Sequence, residues 1–278
     1  MSNKFFNLIN FVILTGLLLA SLLLTTCGRK KPIDPNTILI GTIAGPETEL
    51  VETAKKVAKE KYKLTVNIVP FNDYVEPNRA LNEGEINANL FQHEPYLEEA
   101  KAQQNFKLVS IGNLFIYPMG IYSKRYKKLA DVPDHAVVAI PNDSSNQARS
   151  LLLLAKAELI ILDPNKVNAK DNNISLHDIS TNPKNLKFQE VDPAFMVRML
   201  PDLDLAVINT NYAAIANLLP NRDALFSEDK DSRYANILVV QEADKDQEKF
   251  KQLLSALRSS EVLKKADSLF KGQALPAW

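Results

Sequence analysis

The most prominent feature of the chain is a long apolar run near its N-terminus, which shorter apolar runs follow along the rest of the sequence. The long run extends from Phe5 to Leu24, directly after the basic Lys4. The polar stretch Lys30–Asn36 contains two prolines and is typical of a linker. After it, strand-like runs alternate with runs of helical periodicity, which predicts an α/β architecture with mainly parallel sheets.

Short apolar runs rich in β-branched residues indicate buried strands, and apolar residues spaced three and four apart indicate helices. The predicted strands are Thr37–Ile43, Thr65–Phe71, Ala88–His93, Lys107–Asn113, Ile116–Ser123, Val137–Pro141, Lys187–Val191, Leu205–Ile208 and Asn236–Val240. The predicted helices are Glu47–Tyr62, Asn78–Glu85, Pro95–Gln104, Asn146–Leu159, Pro193–Leu200, Asn211–Leu219, Lys245–Leu257 and Glu261–Phe270.

Two such strand–helix blocks predict two lobes. Lobe one is expected to comprise residues 37–116 and 240–278, and lobe two residues 117–239. The chain would leave lobe one near Tyr117 and return near Asn236, with a cleft between the lobes. Lys166–Lys184 is polar and predicted to be rich in loops.

The segment that ends the long apolar run predicts export. Leu24-Thr25-Thr26-Cys27 has the form of a lipoprotein cleavage box, and cleavage before Cys27 would leave its thiol at the new N-terminus for lipidation. Residues 1–26 are therefore predicted to be a signal peptide and residues 27–36 a lipidated tether. Thr26 stands where such boxes usually carry Gly, Ala or Ser. The alternative is an uncleaved transmembrane helix, because the run is almost long enough to span a bilayer.

Composition narrows the function classes. The 33 basic and 33 acidic residues balance, which indicates no nucleic-acid partner. With one cysteine the chain cannot form an internal disulfide, and it contains no GxGxxG or GxxxxGK string for phosphate binding. The histidines lack metal-ligand spacing, no GxSxG elbow occurs, and Cys27 would be acylated. We therefore expect no cofactor, no metal and no enzymatic activity; the alternative is an anchored enzyme with His93 as base near Asp73 or Glu94.

Candidate ligand residues follow from the predicted topology, because ligands of open α/β sheets bind beyond the carboxyl ends of the strands. The residues with suitable chemistry at these junctions are Tyr74, Phe91, His93, Arg149, Asn209 and Asn236. Together they suit a zwitterionic amino acid. A guanidinium and the free N–H groups at the start of its helix can hold a carboxylate, and amide oxygens can accept from an ammonium.

The aromatic members of this set can cover an apolar or thioether side chain, since sulfur–aromatic contacts are favourable. Each residue also has a purely structural interpretation. Phe91 could belong to the core, Arg149 could be a solvated charge, Tyr74 could close a turn and His93 could cap the following helix.

Several strings carry a family resemblance. Phe71-Asn72-Asp73-Tyr74-Val75-Glu76-Pro77-Asn78 and Asn89-Leu90-Phe91-Gln92-His93-Glu94-Pro95-Tyr96-Leu97 closely resemble the NlpA/MetQ family of methionine-binding lipoproteins. So do Pro141–Asp143, Arg149–Leu154 and Leu205–Thr210, and the likeness extends from the cleavage box to Trp278. The resemblance implies a two-lobed, periplasmic-binding-protein-like fold of type II with an interlobe cleft.

The resemblance also implies a function and residue roles. It implies a lipid-anchored substrate-binding subunit at the cell membrane, facing the periplasm or exterior, that hands methionine to an ABC permease and its ATPase. The ligand would be L- or D-methionine or a short methionine-containing peptide. Arg149 would bind the carboxylate, Asn209 and Asn236 the main-chain polar groups, and Tyr74, Phe91 and His93 would surround the side chain. Asn211 could share the contact of Asn209, and a surface adhesin or signalling lipoprotein on the same fold is the alternative function.

Overall fold

Two large β-sheets, one of six strands and one of five, organise the described part of the chain. The computed structural model describes residues 34–167, 174–229 and 233–278; the predicted signal peptide, Cys27 and most of the tether lie outside this part. Within it, no helix has both the length and the apolar character that a membrane span requires.

The elements are numbered in chain order within the described residues. The strands are β1 Thr37–Ile43, β2 Thr65–Phe71, β3 Ala88–His93, β4 Leu108–Ile116, β5 Gly120–Tyr122, β6 Val137–Pro141, β7 Ile161–Leu162, β8 Ile179–Thr181, β9 Lys187–Val191, β10 Leu205–Ile208, β11 Phe226–Ser227, β12 Ala235–Gln241 and β13 Leu275–Pro276. The α-helices are α1 Pro46–Tyr62, α2 Glu76–Asn82, α3 Glu94–Gln104, α4 Ser144–Lys156, α5 Pro164–Val167, α6 Pro193–Met199, α7 Thr210–Ile215, α8 Pro220–Asp223, α9 Glu248–Leu257 and α10 Ser260–Phe270.

The first lobe is built on the sheet with strand order β13-β4-β12-β3-β1-β2. Helix α1 buries Leu50, Val51 and Ala54 in the same apolar cluster that contains Phe250 and Val262 from α9 and α10. The amphipathic pattern of these three helices therefore places their apolar sides together against the sheet. The C-terminal helices thus complete a lobe that the N-terminal strands begin.

The second lobe is built on the sheet with strand order β11-β5-β10-β6-β9. Leu151, Leu153 and Leu154 of α4 pack in its core with Val138 and Ile140 of β6. A further apolar cluster joins residues of both lobes, among them Tyr74 and Phe91 from the first and Tyr212 from the second. The lobes are therefore in direct contact on one side of the cleft.

The two-lobed α/β prediction is confirmed, but the sheets are mixed instead of mainly parallel. Strands β1, β2 and β3 are parallel, as are β9, β6 and β10. Strands β4, β5, β11, β12 and β13 pair antiparallel with their neighbours. The antiparallel pairs in the first sheet arise partly from the chain connectivity. Strand β12 enters this sheet from the second lobe and therefore runs opposite to β3 and β4.

The chain passes between the sheets after β4 and returns before β12. The predicted strand Ile116–Ser123 is wrong, because Tyr117–Met119 forms the first crossing and only Gly120–Tyr122 pairs in the second sheet. Pro118 has no N–H for a sheet hydrogen bond, which fits this interruption. The lobe boundaries predicted from sequence remain a prediction. The predicted boundary after residue 239 cuts through β12, whereas strand pairing places all of Ala235–Gln241 in the first sheet.

Two other predictions change in detail. The predicted helix Asn211–Leu219 is α7, which ends at Ile215, followed by a separate turn of helix that starts at Pro220. Asn217 takes a left-handed backbone with φ 57°, which ends the helix. Within the predicted loop-rich stretch, β8 pairs with β7 as a small antiparallel ribbon.

Candidate functional site

One cavity brings all six predicted ligand residues together. It encloses about 360 Å³ of space between the two lobes, part of it open to solvent. The predicted residues that line it are Tyr74, Phe91, His93, Arg149, Asn209 and Asn236. Further lining residues, which sequence reasoning did not assign, include Tyr96, Tyr117, Asn146 and Thr210. Both lobes contribute to the wall.

Aromatic rings form the wall on the side of the first lobe. The ring centroids of Tyr74 and Phe91 are 5.8 Å apart, and Tyr96 meets Phe91 edge-on at 5.9 Å. The Tyr96 hydroxyl donates to the backbone oxygen of Tyr74 at 3.0 Å, which fixes the ring. Tyr212 from the second lobe packs against Tyr74, with the ring centroids 5.1 Å apart and the planes tilted by 45°. The cluster offers a preformed apolar surface to a ligand side chain.

His93 both caps helix α3 and lines the cavity. Its Nδ1 accepts from the backbone N–H of Tyr96 at 3.3 Å, and its Nε2 lies 3.2 Å from the Asn146 Oδ1 of the second lobe. Burial, and then the nearby positive charge of Arg149, lower the pKa of His93 to about 3. The ring is therefore neutral at pH 7 with its proton on Nε2. Such a weak base argues against the alternative of an enzyme that uses His93 as a base.

Arg149 projects from α4 into the cavity and is only 4% exposed. Its Nε donates to Glu228 Oε1 at 2.8 Å and its Nη2 to Glu228 Oε2 at 2.5 Å and to the Tyr117 backbone oxygen at 2.9 Å. The guanidinium also stacks over Tyr234, 4.4 Å from the ring centroid. Among the described residues no partner takes Nη1, so this nitrogen is the donor left for a ligand.

The helix N-terminus beside Arg149 is already occupied. Asp143 caps α4 by accepting from the Asn146 N–H at 2.8 Å. Glu99, from helix α3 of the first lobe, accepts from the Ser145 N–H at 2.9 Å and from the Ser144 hydroxyl. The expectation that free N–H groups of this helix help to hold a carboxylate is therefore wrong for Ser145 and Asn146.

Three asparagines of the second lobe, Asn146, Asn209 and Asn211, form the polar wall of the cavity. Asn209 Nδ2 donates to Asn146 Oδ1 at 2.8 Å, and Asn211 Oδ1 accepts from the Tyr74 hydroxyl at 2.7 Å. Asn209 Oδ1 and Asn211 Nδ2 are buried without a partner among the described residues. A buried polar atom left unpaired costs about 1–3 kcal/mol, so one acceptor and one donor at this cavity lack partners that a ligand or water can supply.

Asn236 is held in place by a buried acid that sequence reasoning missed. Its Nδ2 donates to Glu47 Oε1 at 2.7 Å, which leaves Asn236 Oδ1 as an acceptor. Glu47 is 2% exposed, and burial raises its pKa to about 8 despite the opposing hydrogen bond from Asn236. Glu47 lies at the β1–α1 junction, so the junction rule would have found it if it had been applied to this first strand–helix pair.

Two α/β lobes, joined by crossing segments and lining one cavity from both sides, define a two-lobed substrate-binding protein of the periplasmic class. A family model for the NlpA lipoprotein matches residues 38–278. The chain belongs to the NlpA lipoprotein family, as the sequence motifs predict.

Named relatives extend the match over nearly the whole chain. The D-methionine-binding lipoprotein MetQ of Escherichia coli is 46% identical over 265 residues, which cover 95% of this chain and 96% of that protein. Outer membrane lipoprotein 3 of Mannheimia haemolytica is 42% identical and covers 93% of this chain and 95% of its own length.

Solved structures agree with the fold. A nutrient binding protein from Burkholderia cenocepacia, solved with bound methionine, is 46% identical with a TM-score of 0.84 and covers 87% of this chain and 100% of its own. An ABC transporter periplasmic substrate-binding protein from Coxiella burnetii is 50% identical with a TM-score of 0.82, covering 86% and 100%.

Proposed function

We propose that this protein is a lipid-anchored substrate-binding component of an ABC transporter that binds free methionine for import. The relative from Escherichia coli carries methionine binding in its name, and the Burkholderia cenocepacia structure contains methionine. The partners would be an ABC permease and its ATPase. The lipid on Cys27 would hold the protein at the membrane, on the periplasmic or outer side.

The contacts of the cavity support specific roles for its residues. Arg149 Nη1 binds the carboxylate of the amino acid, with Asn211 Nδ2 as a second donor. The amide oxygens of Asn209 and Asn236 accept from the ammonium. The thioether lies among Tyr74, Phe91 and His93, where each sulfur–aromatic contact contributes roughly 0.3–1.5 kcal/mol.

The observation that carries this proposal is the set of hydrogen-bonding atoms that lack partners at the cavity. Among the described residues, Asn209 Oδ1 is a buried acceptor and Asn211 Nδ2 a buried donor without a partner, and both line the same cavity as Arg149, whose Nη1 has no partner there either. A zwitterion supplies a donor for the first, an acceptor for the second and a negative charge for the third. Each charge-assisted hydrogen bond of this kind adds about 1.5–3 kcal/mol.

Ligand binding is coupled to closure of the lobes. The contacts from Tyr74 to Asn211 and from His93 to Asn146 join the two lobes directly beside the cavity. A ligand that touches both walls binds the closed form more tightly and shifts the population toward it by that difference in affinity. The permease would then recognise the closed, loaded protein, and the ligand would be released unchanged.

The test is direct binding. Full-length protein purified in detergent is titrated with L-methionine, D-methionine and short methionine-containing peptides in a calorimeter, and ligand that co-purifies is identified by mass spectrometry. We expect saturable heat and a rise in melting temperature with at least one of them. No heat and no thermal shift with any would reject methionine binding and favour the adhesin or signalling alternative.

A further inference from the structure

Glu228 is the acid that neutralises the site arginine, and it is fixed in place from two directions. Its side chain, 13% exposed, forms the bidentate pair with Arg149. Its Oε2 also accepts from the Met119 N–H at 2.9 Å, and its own N–H donates to the Met119 backbone oxygen at 2.9 Å. The carboxylate is therefore anchored to the first crossing between the lobes.

The other ionisable groups around the cavity add little net charge. His93 is neutral at pH 7, and the raised pKa of Glu47 keeps most of this acid protonated. Asp143 is compensated by the helix N-terminus that it caps and by the Asn146 amide. Arg233, 5.1 Å from the Tyr234 ring centroid, adds a positive charge that also lowers the pKa of His93, but it does not line the cavity. The charges in the cavity wall itself are thus mainly those of the Arg149–Glu228 pair.

We propose that Glu228 is a specificity-determining residue: by balancing Arg149, it makes the cavity select a zwitterion over an anion or a cation of the same shape. This inference rests on the methionine site proposed above. A zwitterion brings equal and opposite charges and leaves the balance intact. An anion adds a second negative charge close to the Glu228 carboxylate, where the low dielectric makes repulsion expensive.

Removing the negative charge reverses this preference. In the Glu228→Gln variant the guanidinium of Arg149 is uncompensated, so anions gain affinity relative to the zwitterion and cations lose it. Two probes isolate the effect, because both are smaller than methionine and fit wherever it fits. They are (methylsulfanyl)butanoate, which is methionine without its amino group, and (methylsulfanyl)propylamine, which is methionine without its carboxylate.

The measured quantity is the ratio of the dissociation constant of the butanoate to that of L-methionine, determined by calorimetry on the full chain in detergent. We expect this ratio to fall about tenfold or more in E228Q, which corresponds to about 1.4 kcal/mol. The ratio for the amine rises. The matched control is Asp229→Asn, which removes the same charge from the next residue; Asp229 is 68% exposed and pairs with the exposed Lys156. Its ratios stay within about twofold of wild type.

The outcomes separate this inference from the proposed function. A wild-type protein that binds no methionine overturns both. If wild-type protein binds methionine, two results overturn this inference alone. Either the E228Q ratios equal those of wild type, or D229N changes the ratios as much as E228Q does. If E228Q does not fold by circular dichroism, Glu228→Asp keeps the charge with a shorter reach. Wild-type ratios in E228D then support charge balance, and a tenfold change there contradicts it.

Discussion

The side-chain amide of Asn236 donates a 2.7 Å hydrogen bond to the carboxylate of Glu47, although 189 residues separate them in sequence. Asn236 lies in β12, where the chain re-enters the first lobe, and Glu47 lies in the first turn of α1. The bond therefore ties one wall of the cavity to the interior of the first lobe. It also leaves Glu47 as a buried acid whose protonation depends on folding.

Glu47 should make stability depend on pH. Its pKa rises from an ordinary 4.5 to about 8 in the folded state, so between these values the folded chain holds a proton that the unfolded chain has lost. The contribution of Glu47 to the free energy of unfolding is complete below pH 4.5. It is lost progressively as the pH rises from there through about 8. Denaturant titrations from about pH 5 to pH 8 should show that wild type loses roughly 3 kcal/mol more than Glu47→Gln.

Glu49→Gln is the control for that experiment, because Glu49 lies on the same first turn, 53% exposed and paired with Lys265. Its stability should follow wild type at every pH. If the Glu47→Gln curve also runs parallel to wild type, Glu47 does not carry the raised pKa.

Arg149→Ala should weaken methionine binding strongly. The ligand carboxylate loses its charged partner, which weakens methionine binding by about 2 kcal/mol or more, roughly thirtyfold in dissociation constant. Stability should also fall, because Glu228 is left partly buried without its partner. Calorimetry gives the first effect and thermal unfolding the second. The control is Arg125→Ala, which removes a 45%-exposed arginine from its pair with Asp204 and should leave methionine affinity unchanged. Near-unchanged affinity in R149A would refute the role of Arg149.

Tyr74→Phe should weaken the closed form. The change removes the hydroxyl that donates across the lobes to Asn211 Oδ1 and leaves this buried acceptor unpaired, at a cost of about 1–3 kcal/mol. The ring and its apolar contacts remain. Methionine affinity should therefore fall, because ligand must bind through a less stable closed state.

Tyr212→Phe provides the comparison for Tyr74→Phe, since the Tyr212 hydroxyl makes a longer contact of 3.3 Å to the Asn72 backbone oxygen. The loss of methionine affinity that calorimetry records for Tyr212→Phe should be clearly smaller than for Tyr74→Phe. Equal affinities for both variants and wild type would show that the Tyr74 hydroxyl does not support closure.

Glu99→Ala should shift the unliganded protein toward open forms. Glu99 reaches from the first lobe to the N-terminus of α4 in the second, where an acid stabilises the helix by about 0.3–1 kcal/mol. Small-angle scattering should record a larger radius of gyration for the unliganded variant, and saturating methionine should restore the compact value. Glu98→Ala removes an exposed neighbour that pairs with Lys101 within the same helix, and should leave the radius unchanged. A radius equal to wild type in E99A would contradict the prediction.

The sequence predicted the strands that carry the site with unusual accuracy. Thr65–Phe71, Ala88–His93, Val137–Pro141 and Leu205–Ile208 have the predicted bounds, because their apolar runs end at polar junctions. Since these carboxyl ends face one cleft, the junction residues converge there, and Asn236 joins them from the antiparallel β12.

Local sequence patterns could not predict which residues contact the site residues. Glu228 lies in a polar segment with no periodicity, and nothing near it in sequence indicates that it meets Arg149. Asn146 was placed on a helix, but its bonds to His93 and Asn209 exist only because two lobes and two strands approach it. Such contacts depend on tertiary geometry, which propensity and periodicity do not encode.

The first lobe draws its strands from both ends of the described chain. The stretch from Gly120 to Ser227 holds all five strands of the second sheet, whereas β12, which lies between β3 and β4 in the first sheet, comes after it in the chain. The second sheet can therefore pair from one continuous stretch of chain, whereas the first sheet is completed only by the segment that follows the second lobe. Since Asn236 of β12 lines the cavity, the ligand site is complete only when this returning strand has joined the first sheet.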